Sequence, residues 1–227
     1  MGCFMIVDDR IVFLDGMFPA IILPVGLPKD GGTCAYKTEY CQLYCPTQET
    51  NRHEIRALKF FQDNSAKIIA DKIIADMMFY TEMHLYWWPW GDCLPEMTDK
   101  IISIMLMLEK AGLLQNGYTR NPVLWKEINK EIKRQQIDRL RIGFHVDTIP
   151  EAEQMSTDTI ICCPDVTVNK AEMYYNGKKI ARCCGIWCDW LTVDETRISD
   201  CQECYLYKQG CFYKEEEDDT MLIVVVV

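Results

Sequence analysis

The sequence predicts an α/β protein, built as a partial (βα) barrel or an open parallel sheet with a C-terminal Cys-rich metal-binding appendage. Strand-like and helix-like segments alternate four or five times, which is typical of parallel strands joined by helical crossovers. Helical periodicity stops after Pro164, and Cys, Tyr, Trp and Gly become frequent. We therefore expect an α/β domain over residues 1–164, the appendage over 165–214 and an acidic, apolar tail over 215–227.

The first half of the α/β domain is predicted to contain two strands around a long helix. Ala20–Val25 is a short apolar strand, and Gly31-Gly32 marks the loop after it. Apolar residues at helical spacing predict one helix from about Glu49 to Phe79. His84–Trp88 reads as the second strand, and Pro89 ends it.

The second half continues the alternation. A helix is expected to begin near Thr98, which is its predicted N-cap, and to end at Gly112; Leu113–Tyr118 is the third strand. A helix that starts at Pro122 leads into the clearest strand, Arg139–Val146, in which apolar and polar residues alternate. A short helix over Pro150–Met155 and a fifth strand over Thr159–Cys163 complete the pattern.

Composition and charge exclude several classes of protein. The net charge is −10, and five acidic residues run from Glu215 to Asp219. Nucleic-acid binding needs clustered Lys and Arg, so the charge argues against it.

No apolar run approaches the ~20 residues of a membrane-spanning helix. Met1–Phe13 lacks the apolar core of a signal peptide. We expect a cytoplasmic protein, where thiols stay reduced and clustered cysteines favour metal binding or catalysis.

Cys34, Cys41 and Cys45 follow the first predicted strand in a C-x6-C-x3-C spacing. Three thiolates on one loop can hold three irons of a four-iron cluster and leave the fourth iron open, because thiolate is the soft donor that iron–sulfur chemistry needs. The three positions also share a stripe of an ideal helix, so buried core cysteines are the alternative. A structural zinc would need a fourth protein ligand.

A second group of cysteines lies near the C-terminus. Cys201 and Cys204 form a C-x2-C pair, with Cys188 and Cys211 on either side. This pattern predicts a metal site, and Cys163 at the end of the fifth strand is a further candidate ligand. The residue types fit a structural zinc as well as a second iron–sulfur cluster, so they leave that choice open.

Polar residues follow the other predicted strands. Gly91 and Asp92 follow the second strand, Arg120 follows the third, and His145 lies near the end of the fourth. Ligands collect at the carboxyl ends of strands in α/β sheets. We therefore expect these four residues to face the same end of the sheet as the Cys34 loop and to bind the cofactor there. Asp92 is suited to an amine or hydroxyl, while a plain surface turn is the structural alternative.

The order of these motifs resembles that of a family of small radical-SAM-like proteins common in phages and mobile elements. The resemblance covers roughly residues 15–212. It comprises the three-cysteine loop, a strand that ends in Gly-Asp, and then Gly-Tyr-Thr-Arg-Asn, Ile-Gly-Phe-His-Val-Asp, Cys-Pro and C-x2-C. The more familiar radical-SAM spacing is C-x3-C-x2-C, so the first gap here is wider.

The resemblance implies a [4Fe-4S] cluster on Cys34, Cys41 and Cys45, with S-adenosylmethionine on the open iron. Reductive cleavage of this cofactor would give a 5′-deoxyadenosyl radical that abstracts hydrogen from an unknown substrate. Gly91-Asp92 would stand where such enzymes meet the cofactor's amine, and the C-terminal cysteines would hold a second cluster or zinc. A flavodoxin- or ferredoxin-type donor would supply the electron.

Two other functions fit the cysteines. In the first, both groups bind zinc and the protein is a non-catalytic, metal-stapled interaction module. In the second, the protein is an iron–sulfur electron-transfer or sensing protein that does not cleave a cofactor. A thiol nucleophile paired with His53, His84 or His145 also stays open. The sequence has no serine-hydrolase motif and no phosphate-binding glycine-rich loop.

Overall fold

The protein is described by a computed structural model. It describes residues 9–15, 18–39, 41, 50–80, 84–89 and 91–146, and five short strands after residue 158. Within these residues the chain is α/β, as predicted. The strands of the main sheet are β1 Phe13–Asp15, β2 Phe18–Ile21, β3 His84–Trp87, β4 Leu114–Thr119, β5 Leu140–Val146 and β6 Thr159–Ile161. The helices are α1 Arg52–Asp63, α2 Ala66–Met77, α3 Thr98–Lys110 and α4 Pro122–Gln135.

The main sheet contains its six strands in chain order. β1 and β2 form an antiparallel hairpin, and each later strand pairs in parallel with the one before it. Crossovers between parallel strands are right-handed, and crossovers between successive neighbours place their helices on one face of the sheet. The carboxyl ends of β2 to β6 consequently meet at one edge. Two small antiparallel pairs, Met173–Tyr175 with Lys178–Ile180 and Leu191–Val193 with Thr196–Ile198, lie in the cysteine-rich region.

The hydrophobic core lies between the sheet and its helices. Strand residues such as Leu85, Trp87, Leu140 and Ile142 are buried in it. Gln115 is a polar residue on this face. It accepts a hydrogen bond from the Trp87 indole at 3.1 Å and donates one to the Met105 carbonyl at 3.0 Å, so its burial leaves neither end of the amide unpaired.

The prediction of one long helix over residues 49–79 is wrong, because two helices occupy this region. Asn64 and Ser65 have extended backbones between α1 and α2, and the Ser65 hydroxyl accepts a hydrogen bond from the Ile68 amide as an N-cap. Lys100 of α3 fixes the end of α1 by donating to three carbonyls, those of Phe61, Gln62 and Asn64. Asp63-Asn64-Ser65 supplies residues that favour a helix N-cap, and it interrupts the helical spacing of apolar residues.

Several predicted boundaries also move. The first parallel strand covers Phe18–Ile21 rather than Ala20–Val25, and the β1 hairpin strand was not predicted. Thr98 is the first residue of α3 rather than its cap, which is Met97. The helix predicted over 150–155 lies outside the described residues. In the part of the chain that the structure describes, no helix has the length and apolarity to cross a bilayer.

We expect Gly117→Ala to destabilise the protein by about 1–3 kcal/mol through overpacking. A Cβ at position 117 would lie 2.5 Å from the Trp87 carbonyl oxygen and 2.6 Å from the Trp87 Cβ in the neighbouring strand. Urea unfolding checks this, with exposed Lys126→Ala as the control that stays within about 0.5 kcal/mol of wild type. Equal stability of the glycine variant and the control would contradict the packing described.

Candidate functional site

The loop after β2 delivers Cys34 to the carboxyl edge of the sheet. It is tightly folded on itself, because the Thr33 amide donates to the Pro24 carbonyl and the Cys34 amide donates to the Gly26 carbonyl, both at 2.8 Å. A Cβ on Gly32 would stand 2.2 Å from the Gly26 oxygen, so only glycine fits there. The backbone of Cys34 is therefore held in place by its own loop.

The buried carboxylate of Asp92 joins the ends of β3 and β4. Its Oδ1 accepts hydrogen bonds from the Thr119 hydroxyl at 2.6 Å and from the Cys93 amide at 2.7 Å. Its Oδ2 accepts from the Arg120 amide at 2.8 Å. Both oxygens are thus engaged by protein donors. Burial raises the pKa of Asp92 to about 6, and these hydrogen bonds oppose the rise.

The hydroxyl of Thr33 connects this carboxylate turn to the cysteine loop. Thr33 Oγ1 donates to the Pro24 carbonyl at 2.9 Å and accepts from the Asp92 amide at 3.0 Å. Thr33 is completely buried. The residue before Cys34 and the predicted Gly91-Asp92 motif are therefore in direct contact, which ties three strand ends into one network.

Gly91 lies against the end of the first parallel strand. Its φ of +79° is in the left-handed region, and a Cβ would approach the Leu23 carbonyl oxygen to 2.4 Å. Trp88, three residues earlier, also has a positive φ, +50°, although it carries a side chain. A bulky residue in this conformation is backbone strain, which is commonest at functional sites.

Asn121 extends the network to two helix starts. Its side-chain oxygen accepts hydrogen bonds from the backbone amides of Val123 and Leu124, which caps α4. Its side-chain nitrogen Nδ2 donates to the Thr98 hydroxyl at the start of α3. Its backbone amide donates to Thr119 Oγ1 at 2.9 Å. The first turns of α3 and α4 are thereby fixed at the same edge as Asp92.

Arg120 and His145 lie beside this network on neighbouring strands. Burial and the nearby positive charge of Arg120 lower the pKa of His145 to about 3. Among the residues that the structure describes, no hydrogen-bond partner reaches His145 Nε2, and that atom is inaccessible to solvent. The structure thus brings together Asp92, Arg120 and His145, which were predicted separately from the ends of three strands.

The face of the sheet opposite the core is lined by polar and aromatic side chains. His84 Nε2 lies 2.6 Å from Asn116 Oδ1, and Tyr86 meets Tyr118 edge to face with 5.6 Å between ring centroids. Burial lowers the pKa of His84 to about 4, so its imidazole is neutral at pH 7. Arg141 and His145 alternate with the core residues of β5 and belong to this face.

The predicted iron ligands fall only partly within the described residues. Cys34 and Cys41 are half-buried. Among the described residues, Cys41 forms no disulfide. Its amide donates to the Thr38 hydroxyl at 3.2 Å. Cys45, and the C-terminal candidates Cys163, Cys188, Cys201, Cys204 and Cys211, lie outside the described residues. In the described ranges no three His, Cys, Asp or Glu side chains converge as a metal site.

Cys93 has a different environment from the predicted ligands. It is buried, and its thiol donates to the Leu94 carbonyl at 3.2 Å. Burial, and then the charge of Asp92, raise the pKa of this thiol above its ordinary value. Cys93 is therefore a neutral core thiol at pH 7, and it supplies an internal control for the loop cysteines.

Sequence reasoning missed the threonines. Thr33 and Thr119 both contact Asp92, yet neither was a candidate, because a lone threonine carries no spacing pattern. The only available signal was position, since each follows or ends a predicted strand beside a motif.

Comparison with family models, with curated proteins and with solved structures finds no match for this chain.

We expect Thr33→Val to cost about 1–3 kcal/mol, because it leaves the buried Asp92 amide and Pro24 carbonyl without the hydroxyl they share. Thr33→Ser keeps the hydroxyl and loses only a methyl group, so it serves as the matched control. Urea unfolding of the three proteins measures the difference. A valine variant as stable as the serine variant would show that the hydroxyl contributes nothing.

His84 and His145 predict a loss of stability as pH falls, because desolvation lowers the pKa of each imidazole. Their folded pKa values of about 4 and about 3 lie below the ordinary 6.5, so unfolding takes up protons below pH 6.5. Asp92 acts oppositely, because its folded pKa of about 6 exceeds the ordinary 3.8 and unfolding releases a proton between these values. Between pH 6 and pH 4.5 the net uptake from these three groups is about one proton, or about 1.4 kcal/mol per pH unit.

His145→Asn tests this balance, because it removes one of the two proton uptakes. Unfolding free energies of wild type and variant, measured from pH 6 to pH 4.5, should differ in slope by about one proton. Exposed Gln62→Asn, which changes no titratable group, is the control and should keep the wild-type slope. Parallel curves for wild type and His145→Asn would mean that His145 titrates as an ordinary histidine.

Proposed function

We propose that this protein is an iron–sulfur enzyme of the radical-SAM type, with a partial (βα) barrel and a C-terminal metal-binding appendage. The observation that carries the proposal is the hydrogen bond between Thr33 and the Asp92 amide. It joins the residue before Cys34 to the Gly-Asp turn of the next strand. The loop that carries Cys34 and the turn that carries Gly91 and Asp92 are thus connected at the carboxyl edge of the sheet.

The strand order supports a barrel-like arrangement. β2 to β6 are parallel and follow one another in chain order, without the reversal that defines a doubly wound sheet. In such an arrangement one face carries the helices and the other faces inward. The inward face would hold Tyr86, Asn116 and Tyr118, which contact one another or His84 and are not part of the core.

The described residues fit the implied cofactors in their chemistry. Cys34 and Cys41 supply soft thiol donors on one loop, and Cys45 is proposed as the third. His145 Nε2 is a buried polar atom that lacks a partner within the described part of the chain, as expected beside a ligand. When bound, the cluster supplies one electron for reductive cleavage of S-adenosylmethionine.

The chain's own residues would orient the ligands rather than react with them. Both Asp92 oxygens already accept protein donors, so we assign Gly91 and Asp92 a positioning role through the backbone they fix. Arg120 and His145 would contact the bound molecules. The C-terminal cysteines would hold a second cluster or zinc, and a flavodoxin- or ferredoxin-type protein would deliver the electron.

Anaerobic purification tests the proposal. The protein should be brown, contain about four irons or more, and produce 5′-deoxyadenosine from S-adenosylmethionine with dithionite. Cys41→Ser should abolish this product and retain the fold. Cys93→Ser is the matched control, because that thiol is buried and bonded to a carbonyl, and it should retain both iron and product.

Two results would contradict the proposal. A colourless protein that holds only zinc after anaerobic reconstitution would favour the zinc-stapled module. An iron-loaded protein that forms no 5′-deoxyadenosine would favour an electron-transfer or sensing protein. Iron analysis and the product assay therefore separate all three functions.

A further inference from the structure

Arg120 and His145 are neighbours on the inward face of the sheet. The parallel register pairs Thr119 with Phe144. The residues that follow them, Arg120 and His145, therefore lie side by side. His145 alternates with the core positions of β5 and therefore points away from the helices, and Arg120 directly follows the last residue of β4. The inward face carries a further arginine, Arg141, beside Asn116 in the same register.

His145 lacks a partner for a buried nitrogen. No described residue forms a hydrogen bond with its Nε2, and the atom has no access to bulk solvent. An unpaired buried polar atom costs about 1–3 kcal/mol, and native proteins rarely keep one without a reason. A ligand that bonds to this nitrogen provides such a reason.

The charge next to His145 indicates the kind of ligand. The Arg120 side chain is close enough to act electrostatically on His145, and the Arg120 backbone is fixed by Asp92 at 2.8 Å. The charge of Arg120 also acts on the buried Asp92 carboxylate, and Arg141 adds a second positive charge on this face. A guanidinium beside a neutral imidazole is suited to a carboxylate or a phosphate.

We propose that Arg120 and His145 bind an anionic group, a carboxylate or phosphate, carried by the substrate. This inference rests on the proposed function and adds the substrate class to it. The substrate is the better occupant than S-adenosylmethionine, because that cofactor's sulfonium is positive and its carboxylate is required at the open iron. Arg120 neutralises the anion, and His145 Nε2–H donates a hydrogen bond to one of its oxygens.

The histidine content allows a residue-specific test. The chain has three histidines, of which His53 is exposed and packs against Phe13 of the edge strand β1. Full-length protein labelled with ¹⁵N-histidine is titrated with inorganic phosphate under nitrogen, with sodium chloride at matched ionic strength as the reference. The His145 resonances should shift saturably with phosphate alone, and those of His53 should not.

Variants assign the binding to Arg120. Arg120→Gln should weaken phosphate binding at least tenfold, and Arg120→Lys should retain part of it because it keeps the charge. Arg52→Gln, on the exposed first turn of α1, is the matched control and should bind like wild type. Circular dichroism of each variant verifies that it is folded.

The inference is overturned if His145 does not respond, if chloride gives the same shift, or if Arg120→Gln binds as well as wild type. A third arm adds S-adenosylmethionine to the phosphate-bound protein. Displacement of phosphate would assign the anion site to the cofactor and overturn the substrate assignment, whereas simultaneous binding supports it. Iron content and 5′-deoxyadenosine production, measured on the same preparation, report separately whether the proposed function itself fails.

Discussion

The buried carboxylate of Asp92 is the constraint on which the rest of this edge depends. It accepts three hydrogen bonds from Cys93, Thr119 and Arg120, and the Asp92 amide donates to Thr33. These contacts link Thr33, in the loop after β2, to Arg120, the first residue after β4. A carboxylate inside the protein is costly unless its oxygens are paired, and here the pairing fixes the backbone around both motifs.

The sheet topology makes this network useful. Because β2 to β6 are parallel and adjacent in chain order, every loop that follows a strand emerges at one edge. The helices cover one face and bury the apolar residues there, so polar residues accumulate on the other. On that face His84 pairs with Asn116, and Tyr86 meets Tyr118 edge to face. The proposed enzyme would use the edge for its cofactors and the face for its substrate.

Local pattern was sufficient to predict much of the sheet. Alternation in Leu140–Val146 indicated β5 and its buried face, and Gly112 indicated the end of α3, where its φ is +86°. The break between α1 and α2 was missed, because apolar periodicity continues across Asn64 and Ser65 and only the capping residue marks it. β1 has three residues, which is too short for a periodic signal.

The candidate site was predictable in its location and less so in its bonding. Strand-end position alone placed Asp92, Arg120 and His145 at one edge. It could not reveal that both oxygens of Asp92 are used internally, because that depends on Thr119 and on the Arg120 amide, which only the parallel register brings close. Metal ligation by Cys34, Cys41 and Cys45, and by the C-terminal cysteines, stays a prediction.

Electron paramagnetic resonance of the dithionite-reduced protein tests the central claim most directly. If three loop cysteines hold a four-iron cluster with one iron open, the reduced protein should give a spin-½ signal, and S-adenosylmethionine should shift its g-values by binding that iron. A cluster signal that is identical with and without the cofactor would contradict the account, as would reduced, iron-loaded protein without any such signal.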